Sequence, residues 1–144
     1  MWADTLLAAE RAHLLRLAVW AAGSILVGTA IIAALRLKGR TSPLMLHFGV
    51  QSAAWGVVDL LIAWAANGSL VLRNLGSARQ LERVLWFNAG LDGGYLAVGL
   101  CLAICGWVMG RRLGLVGAGA GVVVQGAALL VLDLILAGQL ATMV

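Results

Sequence analysis

The sequence predicts an all-α protein, an integral membrane four-helix bundle running up-down-up-down. Hydrophobic residues fill 62% of its 144 positions and charged residues only 11%, for a mean hydropathy of +1.00; soluble domains are nearer about 25% charged. The apolar residues fall into four long runs with short polar or basic breaks between them, and each run reaches the ~20 residues a spanning helix needs. Glycine occupies 19 positions and proline one, without a Gly-X-Y period. Collagen-like and disordered classes are therefore excluded, because this much apolar surface does not stay solvated.

The first span covers 17–35 and ends in the basic cluster Arg36, Lys38 and Arg40. Residues 1–16 place Asp4, Glu10, Arg11, His13 and Arg16 among leucines and alanines, the pattern of an amphipathic interfacial start to the same helix. A cleaved signal peptide is the competing reading of this region. The second span covers 43–66. Ser42 is placed to cap it and Pro43 suits its first turn, where a missing N–H would have been unpaired anyway. Asn67-Gly68-Ser69 stops it. Ser77 and Gln80 form an S-x-x-Q capping box ahead of the third span, 81–110. Arg111-Arg112 makes a tight basic turn, and the fourth span covers 113–140. Residues 17–140 thus form a single membrane domain.

Lysine and arginine divide five against five between the two sides of such a bundle, so their count leaves orientation open. The net charge of +4 reads as headgroup contact, not nucleic-acid binding. Cys101 and Cys105 lie four apart on one helical face and read as packed thiols, not a disulfide. Gly90 and Gly94, Gly106 and Gly110, and Gly117 and Gly121 are each four apart, small surfaces that let helices approach. The expected partners are the lipid bilayer and a second copy or other membrane subunits.

Ionisable groups inside a bilayer cost roughly 2.5 to 3.5 kcal/mol each on insertion scales, so those present need an account. At 1.5 Å per residue, Asp59, Asp92 and Asp133 all fall about 10 to 12 Å below the same face of the membrane. Gln51 and Gln125 fall about 22 Å from it, in a deeper layer. Asn88, Asp92 and Tyr95 share one side of the third span, while His47, Gln51, Trp55 and Asp59 form a drifting row on the second. Three charged carboxylates in one dry layer repel, so the layer needs a proton, a bound metal or sodium ion, hydrogen-bond donors, or a cation such as Arg16 or Arg83.

The two histidines, His13 and His47, fall near opposite faces and read as interfacial, so they do not ligate one haem together. No cofactor is predicted; a single-histidine contact from His47 to a pigment or haem is the one option left open. Trp2, Trp64 and Trp86 read as aromatic-belt anchors. The chain has no Cys-x-x-Cys, His-Glu-x-x-His, Gly-x-Ser-x-Gly or phosphate-loop motif, which leaves soluble-type catalysis without support. Asp92 and Tyr95 would be the acid–base pair of a membrane-embedded enzyme, the last-ranked reading.

Three blocks of residues carry a family resemblance: His47-Phe48 with Trp55 and Asp59; Asn88-Ala89-Gly90-Leu91-Asp92 with Tyr95; and Gln125-Gly126 with Asp133. Together they resemble a bacterial four-transmembrane-helix family catalogued as a domain of unknown function. That family tends to carry asparagine at the positions of Gly56 and Asp59, where this sequence departs. The resemblance implies a shared fold and polar centre, and no activity.

The expectation is a small protein of the bacterial inner membrane that binds or translocates a proton, cation or small ligand. Its candidate residues are Asp92, Asp133, Asn88, Tyr95, Gln125, Gln51 and Asp59, with Gly90, Gly94, Gly117 and Gly121 packing helices. The alternative is a non-catalytic accessory subunit of a larger membrane complex. The first predicts a cavity open to water; the second predicts none, and an apolar contact patch.

Overall fold

Four helices and three short turns make up the described chain, residues 2–143 of a computed structural model. They are α1 (Trp2–Leu37), α2 (Pro43–Asn67), α3 (Leu75–Val108) and α4 (Leu113–Ala141). All four are long and apolar enough to cross a membrane, and the protein is a membrane four-helix bundle. At 36 and 34 residues, α1 and α3 are about 54 and 51 Å long, well beyond the ~30 Å hydrocarbon core.

The extra length of α3 corrects two expectations, its start and its cap. The third helix starts at Leu75, not near 81, and its cap is Asn74, whose Oδ1 accepts from the Ser77 backbone N–H at 2.9 Å. Ser77 lies inside the first turn and its hydroxyl donates back to the Asn74 carbonyl at 3.0 Å, so the Ser77–Gln80 capping box does not form. Arg79, Glu82 and Arg83 interrupt the hydropathy but not the helix, because the backbone ladder is indifferent to side-chain polarity. Residues 2–16 run without a break into the rest of α1, as expected for the start of the same helix. Leu6 and Ala9 are core residues there, packed with Ala78, Leu85, Leu136, Ala137 and Leu140. The start of α2 is as expected: Ser42 Oγ accepts from the Met45 N–H at 3.4 Å, with Pro43 in the first turn.

The helices pair as two hairpins, α1 with α2 and α3 with α4, and α4 also lies along α2. Glycines set the close approaches. A Cβ on Gly28 would stand 2.5 Å from the Gly49 carbonyl oxygen and 2.6 Å from the Ala53 nitrogen, so α1 and α2 touch backbone to backbone. Gly99 and Gly119 do the same for α3 and α4, and Gly117 and Gly121 seat α4 against Leu44 and Gln51 of α2. Gly90 and Gly94 do not join this packing, since a Cβ on either meets nothing within 4 Å. Cys101 and Cys105 are free, and they are exposed on α3 instead of packed. Both results follow from α3 using its Gly99–Gly106 face, not the Gly90 or Cys101 face, to meet α4.

No Cα of α2 comes within 8 Å of α3. Where α2 and α4 meet, at Leu44 and Gln51, the bundle is closed; toward the 68–74 turn, α2 and α3 stay apart and a cavity opens between them.

Candidate ligand-binding cavity

The cavity measures about 330 Å³ and draws its wall from all four helices and the 68–74 turn. Its polar side chains are Glu10 and His13 from α1, Asp59 from α2, Ser69 and Arg73 from the turn, Asn88, Asp92 and Tyr95 from α3, and Asp133 from α4. Leucines and Ile62 supply most of the remaining surface.

Each polar group has a local reason for its place. Leu6, Ala9, His13 and Leu17 recur every three or four residues along α1 and are buried, so the stripe that packs α1 also carries Glu10 and His13 inward. Gly126 brings α4 against the Asp92 carbonyl and the Tyr95 side chain. Tyr95 meets Trp55 of α2 edge to face, with ring centroids 5.2 Å apart, and this pair spans the α2–α3 gap at the deep end of the cavity. At the turn end Arg73 grips Glu10 with two parallel bonds, Nε to Oε1 at 2.7 Å and the terminal nitrogen to Oε2 at 2.8 Å. These hydrogen bonds raise the Arg73 pKa, partial burial opposes them, and Coulomb attraction to Glu10 adds to them.

The carboxylates differ in their partners. Asp133 Oδ1 lies 3.5 Å from His13 Nε2, a pair charged on both sides only when the imidazole is protonated. Asp92 is within electrostatic reach of both Asp59 and Asp133. Asp59 and Asp92 are 1% and 5% exposed, and Oδ2 of each has no hydrogen-bond partner among the described residues. Buried polar atoms in folded proteins are almost always paired. Among the described residues, no three His, Cys, Asp or Glu side chains converge closely enough to chelate a metal ion.

The structure therefore brings together Asp59, Asn88, Asp92, Tyr95 and Asp133. Gln125 and Gln51 stand apart from them. Gln125 is committed elsewhere, accepting from Trp20 Nε1 at 2.6 Å and donating to Ser24 Oγ at 3.1 Å, which ties α4 to α1. It borders a second, almost wholly apolar groove of about 990 Å³ between α1 and α4. Gln51 packs its Cβ against Gly121. Arg16 lines that same groove and Arg83 is exposed, so neither neutralises the aspartates. His47 is exposed near the opposite end of the bundle, its Nδ1 2.8 Å from the Pro43 carbonyl. His13 corrects its reading as an interfacial residue: it is buried and faces Asp133, because it lies on the packing stripe of α1.

Glu10, His13 and Arg73 are the site residues that sequence reasoning passed over. For the first two a signal existed, their phase with Leu6 and Leu17. Arg73 gave none, since only the fold of the turn brings it to a residue 63 positions away.

The profile of a family of unknown function, DUF6992, matches residues 16–134 of the chain. The chain belongs to DUF6992. The match takes in α1 from Arg16, all of α2 and α3, α4 as far as Leu134, and all the cavity's aspartates, while Glu10 and His13 precede it. No curated protein and no solved structure matches this DUF6992 member.

Proposed function

We propose that this protein binds a small positively charged ligand in the carboxylate cavity. The observation that carries the reading is the pair of buried carboxylates, Asp59 and Asp92, which line a cavity of about 330 Å³ and each keep an Oδ2 without a hydrogen-bond partner among the described residues. That volume is at the small end of ligand pockets. Glu10 is already neutralised by Arg73 and Asp133 faces His13, which leaves Asp59 and Asp92 to meet an incoming charge. An ammonium group offers both the charge and the N–H donors that these oxygens lack. A proton neutralises the same oxygens, so proton and cation compete for the site. The absence of three convergent ligands among the described residues favours an organic cation over a chelated metal. Helical spans suit a bacterial inner membrane, the location we propose, where outer-membrane proteins of that envelope are β-barrels.

The test is the thermal midpoint of the detergent-purified protein titrated with butylammonium or with butanol as the uncharged control. Butylammonium should raise the midpoint, butanol should not, and Asp59→Asn with Asp92→Asn should abolish the response. Equal responses to the two probes, or an unchanged response in the double variant, would overturn the reading.

The accessory-subunit reading has one observation of its own. Gly90, Gly93 and Gly94 present a small, open surface on α3, where an added Cβ meets nothing within 4 Å among the described residues, the kind of surface on which membrane helices dock. Chemical crosslinking in native membranes, compared between the wild type and Gly94→Leu, tests it. Loss of a defined crosslinked species in the variant supports a docked second copy or subunit.

A further inference from the structure

We propose that the cavity takes its ligand sideways from the bilayer, and that the ligand is a membrane-partitioned amine with its ammonium among the carboxylates and its alkyl chain in the α2–α3 gap. The proposal rests on the cation-binding reading above and adds the ligand's class and its route.

The position of the cavity mouth is decided by which lining residues are also exposed. Ile62 on α2 and Val84 and Leu91 on α3 all line the cavity, yet they are 53%, 47% and 44% exposed. All three are apolar and lie on helices long enough to cross the membrane. Ile62 is five residues before the end of α2, about 8 Å in from it, and Leu91 is eight residues past Arg83, the last charged residue of α3 before Asp92, about 12 Å. The opening therefore extends along the sides of the two apolar helices instead of lying only at their ends.

The other routes are obstructed. The Trp55–Tyr95 pair closes the gap at the deep end. The Glu10–Arg73 pair joins α1 to the 68–74 turn at the other. The back wall is α4, with Leu129, Asp133 and Leu136. Neither α2 nor α1 has a Cα within 8 Å of α3, but α1 meets α3 through Leu6 and Ala9 packed with Ala78 and Leu85, whereas the α2–α3 gap is edged by the exposed side chains Ile62, Val84 and Leu91.

The lining matches an amphiphile in the same direction. Asp59 and Asp92, both more than nine-tenths buried and each with an unpartnered oxygen, lie within the bundle, and the apolar side chains Ile62, Val84 and Leu91 form the rim. A water-soluble cation gains nothing from that rim. A single-chain amine places each part against its own kind, and every methylene held in the gap or in lipid stays out of water at about 0.8 kcal/mol.

The experiment uses the full chain in phosphatidylcholine nanodiscs and a dodecylamine carrying a photoreactive diazirine at mid-chain. After photolysis, adducts mapped by peptide mass spectrometry should concentrate on the segments holding Ile62, Val84 and Leu91. Excess dodecylamine should suppress them at least ten-fold and dodecanol should not. Ile62→Trp with Val84→Trp, which fills the gap without replacing a carboxylate, should also reduce labelling at least ten-fold. Adducts away from the rim in the wild type, or unchanged labelling in the Trp variant, would overturn the lateral route while the cation reading stood on butylammonium. Equal competition by dodecanol, together with no effect of Asp59→Asn and Asp92→Asn, would overturn both. The wild-type adduct map decides the route even if the Trp variant fails to fold.

Discussion

Removing Arg73 isolates the contact on which the turn end of the cavity depends. The Glu10 side chain is 7% exposed and that of Arg73 23%, and two charge-assisted bonds of 2.7 and 2.8 Å join them across 63 residues of chain. Breaking a fully buried pair by deleting one partner costs about 3–5 kcal/mol, because the remaining charge is stranded. Arg73 keeps a partly open side, so the expected loss for Arg73→Ala is lower, about 2–4 kcal/mol. Replacing both partners, Glu10→Gln with Arg73→Met, strands no charge and should cost less than the single arginine variant. A double-mutant cycle on reversible unfolding in mixed micelles should return a coupling of about 1.5–3 kcal/mol. The sign of the pH dependence follows from the raised Arg73 pKa. A group whose pKa is raised by folding stabilises fully below its unfolded value and loses that only as pH rises through the folded one, so the arginine's contribution should be flat from about pH 7 to 10. Additive single-variant losses, with coupling below about 0.5 kcal/mol, would refute the argument that the pair acts as a unit.

Glycine substitutions should divide by face: Gly28→Leu and Gly99→Leu drive a side chain into backbone atoms and should lower the unfolding midpoint sharply, while Gly90→Leu should leave the isolated chain's midpoint nearly unchanged. Circular dichroism melts separate the two classes. The start of α3 is tested by Asn74→Ala, expected to cost about 1 kcal/mol, against Gln80→Ala, expected to be neutral. Asp92→Asn should hold or raise stability in the same micelle assay, since it removes a buried charge whose Oδ2 lacks a partner. Gln125→Leu should instead lose about 1–3 kcal/mol, because Trp20 Nε1 and Ser24 are left without it.

Much of the site was legible because helical depth is a linear count. Counted from the expected span ends at 1.5 Å per residue, Asp59, Asp92 and Asp133 fall in one layer, and all three line one cavity, although α3 begins at Leu75 and so puts Asp92 deeper along its own helix than the other two. Asn88 and Tyr95 follow from the helical period on the same helix as Asp92. The same count also placed Gln51 and Gln125 in a deeper layer, but depth does not give direction. Gln125 turns toward Trp20 and Ser24 of α1, and only the rotation of α4 about its axis decides that. Helix ends were less legible for a different reason. Hydropathy marks where lipid is tolerated, whereas hydrogen-bond capping marks where a helix begins, and at Asn74 the two differ by about two turns.

The sequence by itself determined a membrane protein of four helices, because composition and run length leave the backbone no other way to satisfy its hydrogen bonds in lipid. It also singled out Asp59, Asp92 and Asp133, which line the same cavity. Only the tertiary structure decided which glycines bring backbones together, that α2 and α3 stay apart, and that His13 and Arg73 join the carboxylate cavity. Those features depend on the rotation and tilt of each helix against its neighbours. Residues far apart in the chain settle that geometry jointly, and no local stretch of sequence records it.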